Sequence, residues 1–324
     1  MLSKFLNTKT LIILLLILGG IYLVTKLTEK EERTFTTELV AIDTSKVTKI
    51  VVIPKLGSGE KVTLEKTGTE WGLESAGKTY MADLPTIKNI LAELKRMRTV
   101  RVAAIDESKW DEQQVTDSTA TRIQLYDGKD ILADLYLGKF SYTQAQNPQN
   151  PGGQPQTVMY THIRPVDENT VYVVEGFIKM TVQSKVDNYR TKTLAAVEPN
   201  DITKVSFNYP GQDNFTVSLE NNKWMIDGQP ADSNKTSLYL RKYTRLSSSA
   251  FLSEEDRMRP TPSHMITIEG NNILPIELKA FPADTVNRFG IKTNMVPDAI
   301  YNGGKNKLFE KIFVGRDEFT PKEN

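Results

Sequence analysis

The chain has no cysteine. Disulfides, thiolate metal ligands and a thiol nucleophile are excluded, and so is a lipoprotein-type anchor, which needs a modified cysteine. Histidine is nearly as scarce, with only His162 and His264. No centre of three imidazoles can be assembled, and neither position falls in a spacing used for metal binding or catalysis. Both stand in strand-like stretches and read as structural or surface residues. Net charge is missing as well, since 41 basic and 40 acidic side chains leave +1. Such a balance creates no long-range field to hold nucleic acid or an anionic membrane surface, so nucleic acid is not an expected partner. No G-x-S-x-G elbow, S-x-x-K unit, P-loop or G-x-G-x-x-G follows a strand-like stretch. The sequence therefore offers no catalytic residue, cofactor site or metal ligand, and it does not read as an enzyme.

At 324 residues the chain exceeds a usual domain of ~100 to 200 residues, so two domains plus an anchor are expected. Leu11 to Val24 reads LIILLLILGGIYLV, preceded by Lys4 and Lys9 and followed by the charged run 26–33. This run is shorter than the ~20 residues of an average spanning helix, and a signal-peptide core of ~7 to 15 residues is the alternative. The exit favours the anchor, because Tyr22, Leu23, Val24, Thr25 and Lys26 offer no small-x-small cleavage site. Residues 10–27 are accordingly expected to form an uncleaved signal anchor in the lipid bilayer, with 1–9 a cytoplasmic tail and 28–45 a charged stalk. Lys26, Lys30 and Arg33 outnumber Lys4 and Lys9. Large domains cross largely regardless of charge, however, so the expected address is the bacterial inner membrane with the C-terminal domains in the periplasm.

Internal similarity organises the remainder. Val47-Thr48-Lys49-Ile50 corresponds to Ile202-Thr203-Lys204-Val205, and Val62-Thr63-Leu64-Glu65 follows at the same spacing as Val217-Ser218-Leu219-Glu220. Trp71 then falls opposite Trp224, and Ala82-Asp83 opposite Ala231-Asp232, each Asp placed to cap a helix. Ile87, Ile90, Leu91, Leu94 and Met97 make one helical stripe, repeated by Thr236, Tyr239, Leu240, Tyr243 and Leu246. Alternation at Ile123 and Leu125, then Ile131, Ala133, Leu135 and Leu137, matches Ile266 and Ile268, then Leu274, Ile276, Leu278 and Ala280. These are strand periods joined by turns at Asp127-Gly128 and Gly270-Asn271. Val171-Tyr172 closes the series against Ile300-Tyr301.

The pattern predicts an α+β fold: after the transmembrane helix, two tandem copies of a mostly antiparallel sheet-plus-helix module at 46–198 and 199–324. Each copy should run strand, strand, a short Trp-bearing strand, one helix, then three or four strands. The helix stripes should be buried, and Lys88, Glu93 and Lys95 exposed. Residues 144–156, uncharged and rich in Pro, Gln, Asn and Gly, form an insertion that the second copy lacks and that cannot bury a core. Acids cluster at Asp106, Glu107, Asp111 and Glu112 around Trp110, and at Glu254, Glu255 and Asp256. A glycosidase-like pair is conceivable across the two clusters. Acids also favour a helix N-terminus, which makes each cluster the start of a surface helix. The candidate ligand or partner contacts are Trp71 and Trp224, as stacking platforms or core anchors, and Gln144, Asn147 and Gln156 in the insertion.

On these residues the chain resembles the bacterial domain of unknown function 4340 family of membrane-anchored proteins. The resemblance rests on the anchor, Val47-Thr48-Lys49-Ile50, Trp71, Leu94-Lys95-Arg96-Met97-Arg98, Leu137-Gly138, Tyr160, Val171-Tyr172-Val173-Val174 and Tyr189-Arg190-Thr191-Lys192-Thr193-Leu194. It covers nearly all of the part beyond the anchor. Where the family commonly shows a Tyr-Gly-Leu-like turn, this chain has Asp111-Glu112-Gln113-Gln114-Val115. The resemblance implies a companion of ABC-type export systems with a gliding-motility-type auxiliary subunit. An accessory subunit touching a permease or auxiliary subunit is thus one expectation. An envelope glycan- or peptide-binding module using the cleft between the copies is the other.

Overall fold

The computed structural model describes residues 43–145, 152–212, 214–252, 257–283 and 288–321. The expected anchor at 10–27 and most of the expected stalk lie outside them. Among the described residues no helix is long and apolar enough to cross a membrane.

The first half opens with β1 (Lys49–Ile53), β2 (Val62–Thr67), β3 (Glu70–Ser75) and β4 (Lys78–Met81), followed by α1 (Leu84–Arg96) and β5 (Arg98–Ala104). It continues through α2 (Trp110–Gln113), β6 (Thr121–Asp127), β7 (Asp130–Ala145), β8 (Gln156–Pro165), β9 (Val171–Glu175) and α3 (Ile178–Thr181). After β10 (Thr193–Ala195) the second half has β11 (Ile202–Asn208), β12 (Phe215–Glu220), β13 (Lys223–Ile226), β14 (Gln229–Pro230), α4 (Ser233–Leu240) and β15 (Leu246–Ser247). It ends with β16 (His264–Gly270), β17 (Ile276–Pro282), β18 (Phe289–Thr293), β19 (Val296–Asn302) and α5 (Leu308–Ile312).

The architecture is mostly antiparallel sheet with few helices. The nine-stranded sheet runs β4-β3-β2-β1-β6-β7-β8-β9-β5 and the eight-stranded sheet β14-β13-β12-β11-β16-β17-β18-β19. The two orders correspond strand for strand, except that β5 extends the first sheet beyond β9. After the second helix the chain instead forms β15, which pairs with β10, and Phe251 then bridges to Tyr301. Each half has one more strand before its helix than the sequence pattern predicts. The turns at Ala76-Gly77 and Asp227-Gly228, both with positive φ, fold the Trp-bearing strand back into the short β4 and β14.

Both helices form where the caps predict. The Asp83 carboxylate accepts from the Thr86 N–H at 3.2 Å, and Asp232 accepts from the Asn234 and Lys235 N–H groups at 3.0 and 3.1 Å. These side chains satisfy backbone donors that a first turn leaves free. Ile87, Ile90, Leu94 and Met97 are buried in the first core, with Leu91 packed at its margin. The second stripe is buried too, though only its first part is α-helical, the rest tightening into a 3-10 turn over Arg241–Arg245. Lys88 and Lys95 are exposed, whereas Glu93 is not. Its carboxylate is drawn in because it accepts the Phe177 N–H at 3.0 Å at the entrance to α3. Ile131 and Leu274, expected in the inward alternation, are 58% and 84% exposed. Ile131 lies beside a bulge in the β6–β7 ladder, and Leu274 precedes β17. Glycine is required at Gly138, where β7 shifts register against β8. A Cβ there would overlap the carbonyl oxygens of Gln113 and Gln114.

Candidate functional site

The two tryptophans are set by their hairpins. The carbonyls of Trp71 and Trp224 accept from Ala82 and Ala231 N–H at 3.2 and 2.9 Å, so each stands in the same relation to the helix that follows. Across the preceding ladder they differ, with Trp71 opposite Lys66 but Trp224 opposite Leu219. The first hairpin is longer by one pleat, and Leu73 takes the place opposite Leu64 that Trp224 takes opposite Leu219. Because strand side chains repeat every two residues, the slip keeps both rings on the core face. Trp71 is 8% exposed and belongs to the first core. Trp224, half-buried against the second core, lines a cavity of about 220 Å³ with Pro199, Asn200, Leu219, Leu240 and Arg241. The two rings sit in separate cores, and the Trp224 cavity is lined by the second half alone.

Gln144 and Gln156 are exposed on the arm where β7 and β8 extend together, with Ala145 opposite Gln156 and Gln144 opposite Thr157. Asn147 lies outside the described residues, as do Glu254, Glu255 and Asp256. Asp106, Glu107, Asp111 and Glu112 are exposed around the turn Glu107–Lys109 and α2, a shorter helix than expected. Trp110 beside them has a structural task. Its indole N–H donates to the Asn169 carbonyl at 3.0 Å, and the Arg164 guanidinium lies 3.6 Å from its ring centre. Arg164 is buried among the carbonyls of Val115, Pro165, Val166 and Glu168, to which it donates.

The histidines and the half-buried lysine are likewise engaged. His162 Nδ1 lies 2.5 Å from Gln113 Oε1, and burial, then Arg101 and Lys139, holds its imidazole below the ordinary value. His264 packs among Tyr209, Phe289, Phe309 and Phe313, where burial lowers it too. Lys179 Nζ donates to the Leu137 carbonyl at 2.8 Å and to Thr121 Oγ1 at 3.2 Å. Burial, with a smaller push from Lys55, brings it down to about 8. No group of three or more His, Asp or Glu side chains among the described residues could hold a metal ion.

The densest polar arrangement is the seam between the two sheets, built by residues 189–195. Asp83 N–H donates to the Tyr189 carbonyl at 2.7 Å and Thr191 N–H to the Met81 carbonyl at 2.9 Å, an extra strand-like rung beyond β4. Lys192 Nζ reaches Asp83 Oδ2 at 3.3 Å and Thr86 Oγ1 at 3.1 Å, tying the connection to the cap of α1. From the other side, Tyr301 donates its hydroxyl to the Thr191 carbonyl at 2.9 Å, and Thr293 Oγ1 donates to the Leu194 carbonyl at 2.9 Å. Asp298 on β19 accepts the Met81 N–H at 2.9 Å, so the edge strands of the two sheets meet directly. At the centre, the buried Arg190 guanidinium lies 4.4 Å from the Tyr80 ring centre and 4.1 Å from that of Phe251. It donates to Asp187 Oδ1 at 3.2 Å and to the Asp298 carbonyl at 3.4 Å. Burial pushes the Tyr301 hydroxyl up, with Asp298 adding to the effect, which keeps it a donor at neutral pH. The aromatic-cation-aromatic stack joins residues of both halves, and the sequence marked 189–194 only through the family resemblance, not as a contact between halves.

A family model described as a domain of unknown function (DUF4340) matches residues 151–262. No curated protein and no solved structure matches the chain. The matched stretch crosses from β8 through the seam to the segment beyond β15. It contains Tyr160, Val171 to Val174 and 189–194, whereas Val47 to Ile50, Trp71, Leu94 to Arg98 and Leu137-Gly138 lie ahead of it. The resemblance is thus supported over the seam and its flanks, a narrower span than the sequence reading expected.

Proposed function

We propose that the chain is a non-enzymatic accessory or scaffold protein in which two tandem copies of a sheet-plus-helix module, 46–198 and 199–324, act as one rigid body. In this reading residues 10–27 anchor it in the bacterial inner membrane, both modules stand in the periplasm, and the body lies against a permease or auxiliary subunit of an ABC-type transport system. The observation that carries the reading is the seam. Buried polar and cationic groups, Arg190 foremost, join the two sheets. Such buried contacts favour one relative geometry of the sheets, the two terminal Arg190 nitrogens being engaged although its Nε is not. The matching strand orders support the tandem-copy part.

Gentle detergent extraction of the full chain after in-cell crosslinking tests the partner. Permease or auxiliary transport subunits should be recovered, and repeated recovery of the chain alone would overturn the association. Deleting residues 11–24 should move the chain out of the membrane fraction, and persistence there would remove the anchor. A second reading, an envelope glycan or peptide ligand, is favoured by the half-buried Trp224 and its cavity of about 220 Å³. Saturable quenching of Trp224 fluorescence by cell-wall glycan fragments or envelope peptides, abolished in Trp224→Leu, would shift the assignment to that reading.

A further inference from the structure

Trp224 and Leu219 face each other across the β12–β13 ladder, and with Leu240 they supply apolar lining to the cavity of about 220 Å³. Ser237, Leu240 and Arg241 fall at i, i+3 and i+4 of the helical run that begins at Ser233, so they share one side of it. Pro199 and Asn200, in the 3-10 turn Pro199–Asp201, supply a further wall. Backbone bonds hold that turn. Asn271 N–H donates to the Asp201 carbonyl at 2.7 Å, and Val197 N–H donates to the Tyr243 carbonyl at 3.0 Å just past α4. The cavity is therefore formed by the fold itself.

The polar groups that line it have no other task. Among the described residues the Arg241 guanidinium has neither ion pair nor hydrogen bond, and the Ser237 hydroxyl, the Asn200 amide and the Trp224 indole N–H are equally without partners. The Trp110 indole, by contrast, is committed to the Asn169 carbonyl. No acidic side chain lines the cavity, so Arg241 is its only charge. The first half does not repeat the set. Counted from the capping aspartates, α1 carries Lys88 and Ala92 where the second half carries Ser237 and Arg241. Leu73 stands opposite Leu64 where Trp224 stands opposite Leu219. Core packing common to both copies thus does not account for the trio of Trp224, Ser237 and Arg241.

We propose that this cavity binds one sugar residue carrying a carboxylate, part of an acidic envelope glycan. The inference deepens the glycan reading given above and rests on it, not on the transport association. An arginine fork pairs with a carboxylate through two parallel hydrogen bonds. The half-buried indole supplies a flat apolar surface for the C–H side of a pyranose. Ser237 and Asn200 can each donate and accept, as sugar hydroxyls require. An acidic peptide side chain would satisfy Arg241 but brings no hydroxyls to the other two. At about 220 Å³ the cavity falls below the ~300 to 1,000 Å³ that encloses a whole drug-sized ligand, so it takes one ring and leaves the rest of the glycan outside.

Titration of the full chain at low salt, read by calorimetry and tryptophan fluorescence, tests this with D-glucuronic and N-acetylmuramic acids against neutral D-glucose and N-acetylglucosamine. At least one acid should bind saturably and about tenfold or more tighter than its neutral counterpart, the difference expected of one charge-assisted pair. Arg241→Gln replaces an exposed, unpartnered side chain. It should melt like the unsubstituted chain and bring the acid to the affinity of the neutral sugar, and Trp224→Leu should lose both. Equal affinity for acid and neutral sugars, undisturbed by Arg241→Gln, would overturn the acidic specificity and leave the glycan reading standing. Absence of saturable binding by all four sugars would overturn both. Tighter binding of N-acetylglutamate amide than of either sugar acid would overturn the saccharide assignment in favour of a peptide.

Discussion

Replacing Arg190 with alanine attacks the seam at its most buried cation. The guanidinium lies 4.4 and 4.1 Å from the Tyr80 and Phe251 ring centres. In a partly desolvated site each such contact is worth ~1 kcal/mol. The Asp187 partner is 48% exposed at its side chain, so that ion pair contributes only ~0.5 kcal/mol after screening. The long bond to the Asp298 carbonyl adds about as much. Truncation also exposes the aliphatic stem at ~0.8 kcal/mol per buried methylene. Against these stand the ~2 kcal/mol of side-chain entropy regained and relief of the buried Nε, which has no hydrogen-bond partner. The net expectation is a loss of ~3 kcal/mol, concentrated at the contact between the halves. Urea unfolding followed by tryptophan fluorescence reads both sides, since Trp71 and Trp110 report on the first half and Trp224 on the second. The unsubstituted chain should unfold in one transition, and Arg190→Ala in two, the earlier midpoint lowered by roughly 1 M for a slope of about 2 to 3 kcal/mol per M. Arg190→Lys keeps the charge without the planar fork and should recover less than half of the loss. A single transition displaced by less than ~1 kcal/mol would refute the seam as an energetic coupling.

Gly138→Ala should cost at least ~2 kcal/mol, because its Cβ would meet the backbone of Gln113 and Gln114, whereas Gly152→Ala, with open space around it, should be neutral in the same thermal melts. Stability should also decline below neutral pH. Both imidazoles are held low in the fold, so the unfolded chain takes up protons first, near ~6.5. The contribution is therefore complete above that pH and is lost as pH falls through it. Melting temperatures between pH 7.5 and 5.5 should fall, and His162→Gln should flatten the slope; an unaltered slope would show that the imidazole is not the titrating group.

What the sequence made legible was periodic. The stripe of Ile87, Ile90, Leu94 and Met97 and the alternation in Val62 and Leu64 report burial directly, because side-chain direction follows backbone period. Capping at Asp83 and Asp232 was legible for the same local reason. Non-local choices were not. That β5 joins the far end of the sheet beside β9, while β15 pairs with β10, depends on contacts distant in sequence. The one-pleat slip between Trp71 and Trp224 leaves the face unchanged, so pattern reading could not register it. Glu93 was misread as exposed because its acceptor role depends on the N–H of Phe177, far along the chain. Arg190 was invisible as a seam residue, since a lone arginine in a loop gives no sign that Tyr80 and Phe251 converge on it.

The central claim, that the two sheets are one rigid body, is tested most directly by a distance distribution in the cysteine-free chain. Nitroxide labels on Lys88→Cys of α1 and Leu238→Cys of α4, both exposed, place one probe on each half. Pulsed dipolar spectroscopy should give one narrow population in the full chain, broadened by Arg190→Ala. A broad or bimodal distribution in the chain with Arg190 intact would contradict the rigid double module.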